Sequence, residues 1–309
     1  MKRFQLILIS FVAFLGIITH AKADYPNWAF SKYIYEYGRL EKIELNDGLD
    51  LSNRNLFNNS INRELNELRN IRFDNAQMGY CSFAETTFVN CSFRGAKLYQ
   101  VDAGDTGFVD CDFTDADISR SVFSGLLFEN IIQTKNYKEK DLSNISIGFW
   151  SEAHPSKTDE KAGLDFTDFN LENASLPYQA TGCIFTNAKI AGAQLTLSKE
   201  QLMSTHDYMK GSLVKITFKG VDFICMNFSQ INLTGCRFER DGGMKVKLKD
   251  ADFTNAVISD CDFSAVEDLA LNQIKSTWNY KVGRMEGIKL PNEIQDILDA
   301  EKEQTPEHD

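Results

Sequence analysis

Hydrophobic residues recur every fifth position along much of this chain. From Leu68 to Phe128 the beat is unbroken: Leu68, Phe73, Met78, Phe83, Phe88, Phe93, Leu98, Ala103, Phe108, Phe113, Ile118, Phe123 and Phe128. A helix repeats at about 3.6 residues and a half-buried strand at about 2, so this period belongs to neither. A second, slim track runs two residues ahead of the first: Ala76, Cys81, Thr86, Cys91, Ala96, Val101, Thr106, Cys111, Ala116 and Ser121. One local element cannot bury two residues in five. They are buried only if successive units wrap around a shared axis and stack on their neighbours.

Several segments sharpen the pattern to Ala-(Asp/Asn)-Leu-x-x or close to it. They are Gly95-Ala96-Lys97-Leu98, Asp115-Ala116-Asp117-Ile118, Asn187-Ala188-Lys189-Ile190 and Asp250-Ala251-Asp252-Phe253-Thr254-Asn255-Ala256-Val257-Ile258. In these segments the chain resembles the pentapeptide-repeat family, roughly over residues 48–290. The resemblance implies an all-β solenoid: a right-handed quadrilateral parallel β-helix with four pentapeptides per coil, here with short helical interruptions and terminal caps. Phe and Cys often replace the Leu and Ala of the consensus, which changes core volume and not architecture. Residue i should then stack on i+20, about one strand spacing of 4.8 Å away. Phe88, Phe108 and Phe128 would share one face, and Phe73, Phe93 and Phe113 another. The rings read as core ladders and not as a cofactor box. Phe4, Phe11, Phe14, Phe30, Phe57, Phe149 and Phe169 fall off the beat.

The beat breaks near residues 130–138, 199–208 and 267–278. A longer repeat links the breaks: Thr134, Thr205 and Thr277 correspond, as do Tyr137, Tyr208 and Tyr280, at spacings of 71 and 72 residues. Ser198 and Gln201 form a capping-box pattern. Each break reads as a short helix beside the solenoid, closed by its Tyr and followed by re-entry into a coil.

The ends differ from the middle. Lys2-Arg3, the apolar run Phe4–Ile18 and Ala21-Lys22-Ala23 read as a secretory signal peptide over residues 1–23. The run has 15 residues, fewer than the roughly 20 that span a bilayer. Stable membrane insertion after cleavage is not expected, and the mature chain is expected to be periplasmic or extracellular. Residues 24–47 are aromatic and read as an N-terminal cap. Ser60–Asn70 is either a short helix or an irregular first coil. Pro291 can open a C-terminal helix with an Ile294, Ile297, Leu298 stripe, and Glu301–Asp309 reads as a charged, disordered tail.

Three of the 33 basic residues and none of the 44 acidic ones precede Asp24, which leaves the remainder at net −14. That balance argues against nucleic acid and anionic lipid as non-specific partners. Cys81, Cys91, Cys111, Cys183, Cys236 and Cys261 each lie two residues before a Phe, where a thiol serves as a slim hydrophobe. Cys91 and Cys111 should stack. Their Cα separation suits a disulfide, but parallel side chains need not give its dihedral, and the sequence leaves both states open. Cys225 is off the beat.

Candidate chemistry is sparse. No nucleophile elbow, phosphate loop, zinc-helix motif or C-x-x-C occurs, so neither an enzyme nor a cofactor is expected. Trp150 and His154, in the polar insertion over residues 150–163, are candidates for a binding loop or for a metal-binding or enzymatic site, with a solvated loop as the competing reading. Asp102, Asp112 and Asp117, within a run that includes Asp105, Asp110 and Asp115, are candidates for an anionic surface. Turn chemistry is the competing reading for them. The leading function is a non-enzymatic exported scaffold with a protein or cell-envelope partner. The family resemblance also implies a second reading, an acidic DNA mimic that binds gyrase, with which the signal peptide conflicts.

Overall fold

In a computed structural model, the chain is described over residues 33–35, 42–61, 67–83, 85–148, 163–179 and 182–303. The signal segment, most of the aromatic N-terminal segment and the insertion carrying Trp150 and His154 lie outside these residues. The five-residue beat builds a parallel β-solenoid with four faces. One face runs from end to end through paired rungs at Ser60, Ser82, Asp102, Val122, Ser146, Ser175, Gln194, Thr217, Arg237, Asp262 and Lys289. Its named strands are β5 (Asp102–Ala103), β7 (Val122–Phe123), β8 (Ser146–Ile147), β9 (Ser175–Gln179), β10 (Gln194–Thr196), β11 (Thr217–Lys219) and β12 (Arg237–Glu239). A second face holds β3 (Glu67–Arg69), β4 (Thr87–Val89) and β6 (Gly107–Val109). The Arg72, Ser92, Asp112 ladder and the Gln77, Lys97, Asp117 ladder complete the square. The strand at Glu67–Arg69 resolves the ambiguity at Ser60–Asn70 for the described part of that segment. Before the first coil, β1 (Tyr33–Tyr35) and β2 (Lys42–Glu44) pair antiparallel.

The core is the two predicted tracks. Phe73 stacks on Phe93 at 5.0 Å, and Phe93 on Phe113 at 4.9 Å. Phe88 stacks on Phe108 at 5.5 Å with the rings 6° from parallel. Rings on adjoining faces of the same coil meet edge to face, as Phe108 and Phe113 do at 5.2 Å and 81°. Stacking along the axis and T-shaped contact across it are the two arrangements that aromatic quadrupoles favour. Phe169 is an unexpected core member. It occupies the slim track two residues before Leu171 and is buried there.

The slim track is more than filler. Its hydroxyls and thiols donate to main-chain carbonyls of the coil below: Thr106 to Phe83 (2.9 Å), Ser121 to Leu98 (2.5 Å), Cys81 to Leu56 (3.0 Å) and Cys236 to Leu213 (2.7 Å). These bonds use a second lone pair of carbonyls inside an apolar core. They account for Ser, Thr and Cys alternating there with Ala, except at Thr86, whose buried hydroxyl has no partner among the described residues.

Strict i+20 stacking holds for part of the chain. The end-to-end face steps by 20 residues from Ser82 to Val122, then by 24, 29, 19, 23, 20, 25 and 27. Helices α1 (Phe128–Ile131) and α2 (Lys135–Lys138) occupy the 24-residue step, and α3 (Lys199–Ser204) with α4 (His206–Met209) the 23-residue step. The 25-residue step turns one pentapeptide outward as a tight hairpin, with Asp241 bridged to Met244 around Gly242 and Gly243. The 27-residue step holds α5 (Leu271–Ser276) and α6 (Trp278–Lys281). The chain leaves the coil at Phe128, where α1 begins. The departure is tight. A methyl on Gly125 would lie 2.1 Å from the Thr106 carbonyl oxygen.

Helix α7 (Asn292–Glu303) follows Pro291. Ile294 and Leu298 are buried, but Ile297 is 46% exposed, so the buried stripe holds two of the three predicted residues. Glu301 belongs to this helix and pairs with Lys275 at 2.6 Å, which corrects a disordered tail beginning at residue 301.

All seven cysteines are free thiols, and burial separates them. Five lie in the core, Cys183 is half-buried and Cys225 is exposed. Burial pushes the Cys81 and Cys236 thiols up to about 12. Because the thiolate is the nucleophile, maleimide should modify Cys225 first and Cys183 slowly, with the core thiols reacting only on unfolding. Mass spectrometry of native and denatured protein reads that order. Rapid labelling of Cys91 or Cys236 in the native chain would contradict this packing.

Candidate interaction surface

The acidic run is placed by the coil. Asp102, Asp112 and Asp117 stand one residue before a core position, and each accepts from a main-chain N–H two residues on: Gly104 at 3.1 Å, Thr114 at 2.8 Å and Ser119 at 3.2 Å. Asp105, Asp110 and Asp115 fill the left-handed corner, at φ of 52°, 51° and 60°. Asn and Asp tolerate that region better than other side-chain-bearing residues, so the corner selects them. The carboxylates also link coils. Arg94 donates to Asp112 at 2.9 Å, Lys138 to Asp115 at 2.6 Å and Arg72 to both Asp50 and Asp74. Among the described residues no group of three or more His, Cys, Asp or Glu could hold a metal ion. Nor is any described helix long and apolar enough to cross a membrane.

Burial raises the Asp112 carboxyl, but the Thr114 hydroxyl and N–H, with Arg94, outweigh it and hold it below the usual range. Asp117 and Asp262 behave alike, through Ser119 with Lys135 and Lys97 and through Ser264 with Lys289. A carboxyl with a lowered folded value contributes stability above its unfolded value and loses it as pH falls through the folded one. The thermal midpoint should therefore drop steadily below about pH 4, and Asp112→Asn with Asp262→Asn should flatten that drop. An unchanged acid limb in the double variant would show that these carboxylates do not carry it.

The three helix pairs use one device. Thr134, Thr205 and Thr277 are fully buried N-caps. Each accepts from the Tyr N–H three residues on and donates to a carbonyl three residues back, at 2.6, 2.7 and 2.7 Å. The residue two past each Thr was not singled out in the sequence. Asn136 accepts the Ile118 N–H at 2.8 Å, Asn279 the Ile258 N–H at 2.7 Å, and Asp207 the Ile190 N–H. Around it, the main chain of the helix pair exchanges two further bonds with the coil, as Asp115 N–H to Gln133 and Lys135 N–H to Ala116 illustrate. Each pair thus presents to the coil below the donors and acceptors of a strand. Tyr137 and Tyr208 fix the far side by donating to the Asp165 carbonyl (3.2 Å) and the Asn227 carbonyl (2.7 Å). Aligning the three segments gives Thr-x-Asn/Asp-Tyr, a signal that could have found these residues.

Asn279→Leu keeps the volume but leaves the Ile258 N–H buried without an acceptor, at a cost of about 1–3 kcal/mol. Hydrogen exchange at Ile258 should quicken while exchange in the first coils stays unchanged, because a solenoid couples mainly to its neighbours. Unaltered exchange at Ile258 would remove Asn279 from this role.

Outside the core, Phe57, Tyr80 and Tyr99 form a ladder along one corner, with centroids 5.1 and 5.7 Å apart. Trp150 and His154 lie outside the described residues and are not brought to this or any other site. His206 is half-buried and meets the Asn187 side-chain oxygen through Nδ1 at 3.1 Å.

Residues 67–102 match the family model for pentapeptide repeats, in eight copies. No curated protein sequence matches the chain. Among solved structures, HetL, a pentapeptide repeat protein involved in heterocyst differentiation regulation from the cyanobacterium Nostoc sp. strain PCC 7120, is 12% identical. The match covers 80% of this chain and 91% of HetL, with a TM-score of 0.20. Full-length QnrB1, a plasmid-mediated fluoroquinolone resistance protein, is 18% identical over 84% of this chain and 99% of its own, with a TM-score of 0.21. Scores this low carry no argument about role, so the assignment rests on the matched repeats and on the four-faced coil they build. On that basis the chain carries pentapeptide repeats and builds the parallel β-solenoid of the pentapeptide-repeat proteins.

Proposed function

We propose that this chain is an exported, non-enzymatic scaffold that offers the outer faces of its solenoid to a protein or cell-envelope partner. One observation carries the reading. The side chains that resemble chemistry are spent on the coil: Asp112 and Asp117 on turns and inter-coil pairs, Cys81 and Cys236 on core carbonyls, Asn136 and Asn279 on strand ends. What remains free is a rigid exterior. The face from Ser60 to Lys289 keeps its rungs paired past every helix pair. Repeat solenoids use such extended surfaces for binding. Export is supported by the basic start, apolar run and Ala-x-Ala site within residues 1–23.

Cell fractionation with N-terminal sequencing tests the compartment. The expected form begins at Asp24 and is recovered outside the cytoplasm. A cytoplasmic form retaining residues 1–23 would overturn export and reopen an acidic-mimic role. Pull-down from envelope fractions tests the scaffold role, and recovery of nothing above background would count against it.

A further inference from the structure

The Phe57–Tyr80–Tyr99 corner departs from the repeat in two independent ways. The first is exposure. Phe57 is 38% and Tyr80 48% exposed, whereas the described Phe rings on the five-residue beat are buried and Trp278, at 37%, is the other exposed ring. The second is backbone. Tyr80 sits at φ 60°, in a left-handed corner position that neighbouring coils fill with the unbranched or polar side chains Asn58, Gln100 and Arg120. It is the one aromatic residue among the described non-glycine residues with positive φ. A bulky side chain there is strained, and such strain persists where something other than stability retains it. The ladder is built around this exception. Phe57 and Tyr99 occupy the turn position before the left-handed residue. In the coil between them that position is Gly79, over which the Phe57 ring lies so closely that a Cβ would meet it at 3.3 Å. Removing that side chain and moving the ring to residue 80 brings the three aromatics into contact.

Polar chemistry surrounds the rings. Arg120, in the next coil at the same corner, donates to the Tyr99 hydroxyl at 3.5 Å and is exposed. Lys97, two residues before Tyr99, is exposed, as are the side-chain amides of Asn58, Gln77 and Gln100. The acids on the flanking faces are engaged locally, Asp102 with the Gly104 N–H and Asp117 with Ser119, with Lys135 and, through its charge on the adjoining rung, with Lys97. Two cations beside exposed rings stand out on a chain of net charge −11.

We propose that the Phe57–Tyr80–Tyr99 ridge, with Lys97 and Arg120, binds an anionic, uronate-bearing polysaccharide of the cell envelope. The proposal rests on the exported-scaffold reading and names its partner. Ring faces and edges would contact the C–H faces of sugar units, the amides would meet hydroxyls, and the two cations would meet carboxylates. The ridge climbs the axis one ring per coil, and its centroid spacings of 5.1 and 5.7 Å are comparable to the length of one pyranose unit. A linear polymer can follow such a ridge. A protein hot spot would instead need a desolvated pocket at the centre of its interface.

Affinity electrophoresis of the full chain through gels holding polygalacturonate or neutral dextran tests this. Polygalacturonate should retard the chain and dextran should not. Tyr80→Asn places a residue suited to the corner, so its thermal midpoint should be unchanged or higher while affinity falls by about tenfold or more. Arg120→Gln should weaken retardation and reduce its salt dependence. The proposal is overturned if polygalacturonate gives no retardation, if dextran retards equally, or if Tyr80→Asn binds as the parent does. It is also overturned if envelope binding that depends on Tyr80 is abolished by proteinase, which would assign the ridge to a protein. Localisation leaves these gels readable. A cytoplasmic chain that still binds polygalacturonate would sink export alone, and an exported chain that ignores it would sink the ridge alone.

Discussion

Every feature of this molecule answers to the hydrogen bonding of one rung to the next. A strand two or three residues long cannot hold itself. Its N–H and C=O groups must find partners in the coil above and the coil below, at the fixed spacing of a parallel ladder. The constraint dictates that like residues stack on like, and Phe73, Phe93 and Phe113 accordingly form a continuous column. It also dictates what may interrupt the column. An insertion survives if the rungs on either side of it still meet, as Val122 meets Ser146 across α1 and α2. Where a helix displaces a strand, it must return the missing hydrogen bonds to the coil it covers. Asn136, Asp207 and Asn279 do so in three places with one geometry.

The same constraint explains why a chain rich in reactive residue types offers little reactivity. A corner that needs a left-handed residue in each coil recruits Asn and Asp, and their side chains close the turn or reach the neighbouring corner, as Asn90 reaches Asn70 at 2.6 Å. The slim inward position recruits side chains that are small and can donate once, hence Cys, Ser and Thr. Negative charge accumulates as a by-product of turn chemistry. Much of it is answered by Arg and Lys one coil away, such as Arg94 on Asp112 and Lys289 on Asp262. Net charge is therefore a poor guide to partners here, and local departures from the repeat are a better one.

The fold was legible because the beat is a physical requirement repeated coil after coil. The five-residue period implies wrapping, and the slim track two residues ahead implies which side faces in. Legibility failed where a local preference competed with the beat. Phe128 keeps the five-residue spacing, yet its backbone opens a helix where the beat calls for a further turn of coil. Ile297 lies at helical spacing from Ile294, but a helix lying on the end of a solenoid has a narrow contact, and Leu298 takes the buried place. Phe169 looked surplus because it stands on the slim track, where a coil wide enough to take a ring accepts it. The strand-mimicking Asn and Asp of the helix pairs were hidden for another reason. A single Asx in a short helix carries no signal, and only the three-way alignment of Thr-x-Asx-Tyr exposes it.

The aromatic corner marks the limit of pattern reading. Phe57 and Tyr80 are 23 residues apart and Tyr80 and Tyr99 are 19 apart, so no fixed period connects them. They meet because the first coil is longer than 20 residues and because ring and left-handed position exchange places around Gly79. A repeat protein improves by regularity, since each residue that suits the coil also suits its neighbours. An irregular choice that costs backbone strain and exposes two rings runs against that tendency, whereas Asn at residue 80 would satisfy the coil. Departures of this kind, set against a repeat that accounts for the surrounding residues, separate what the solenoid needs from what it was built to hold.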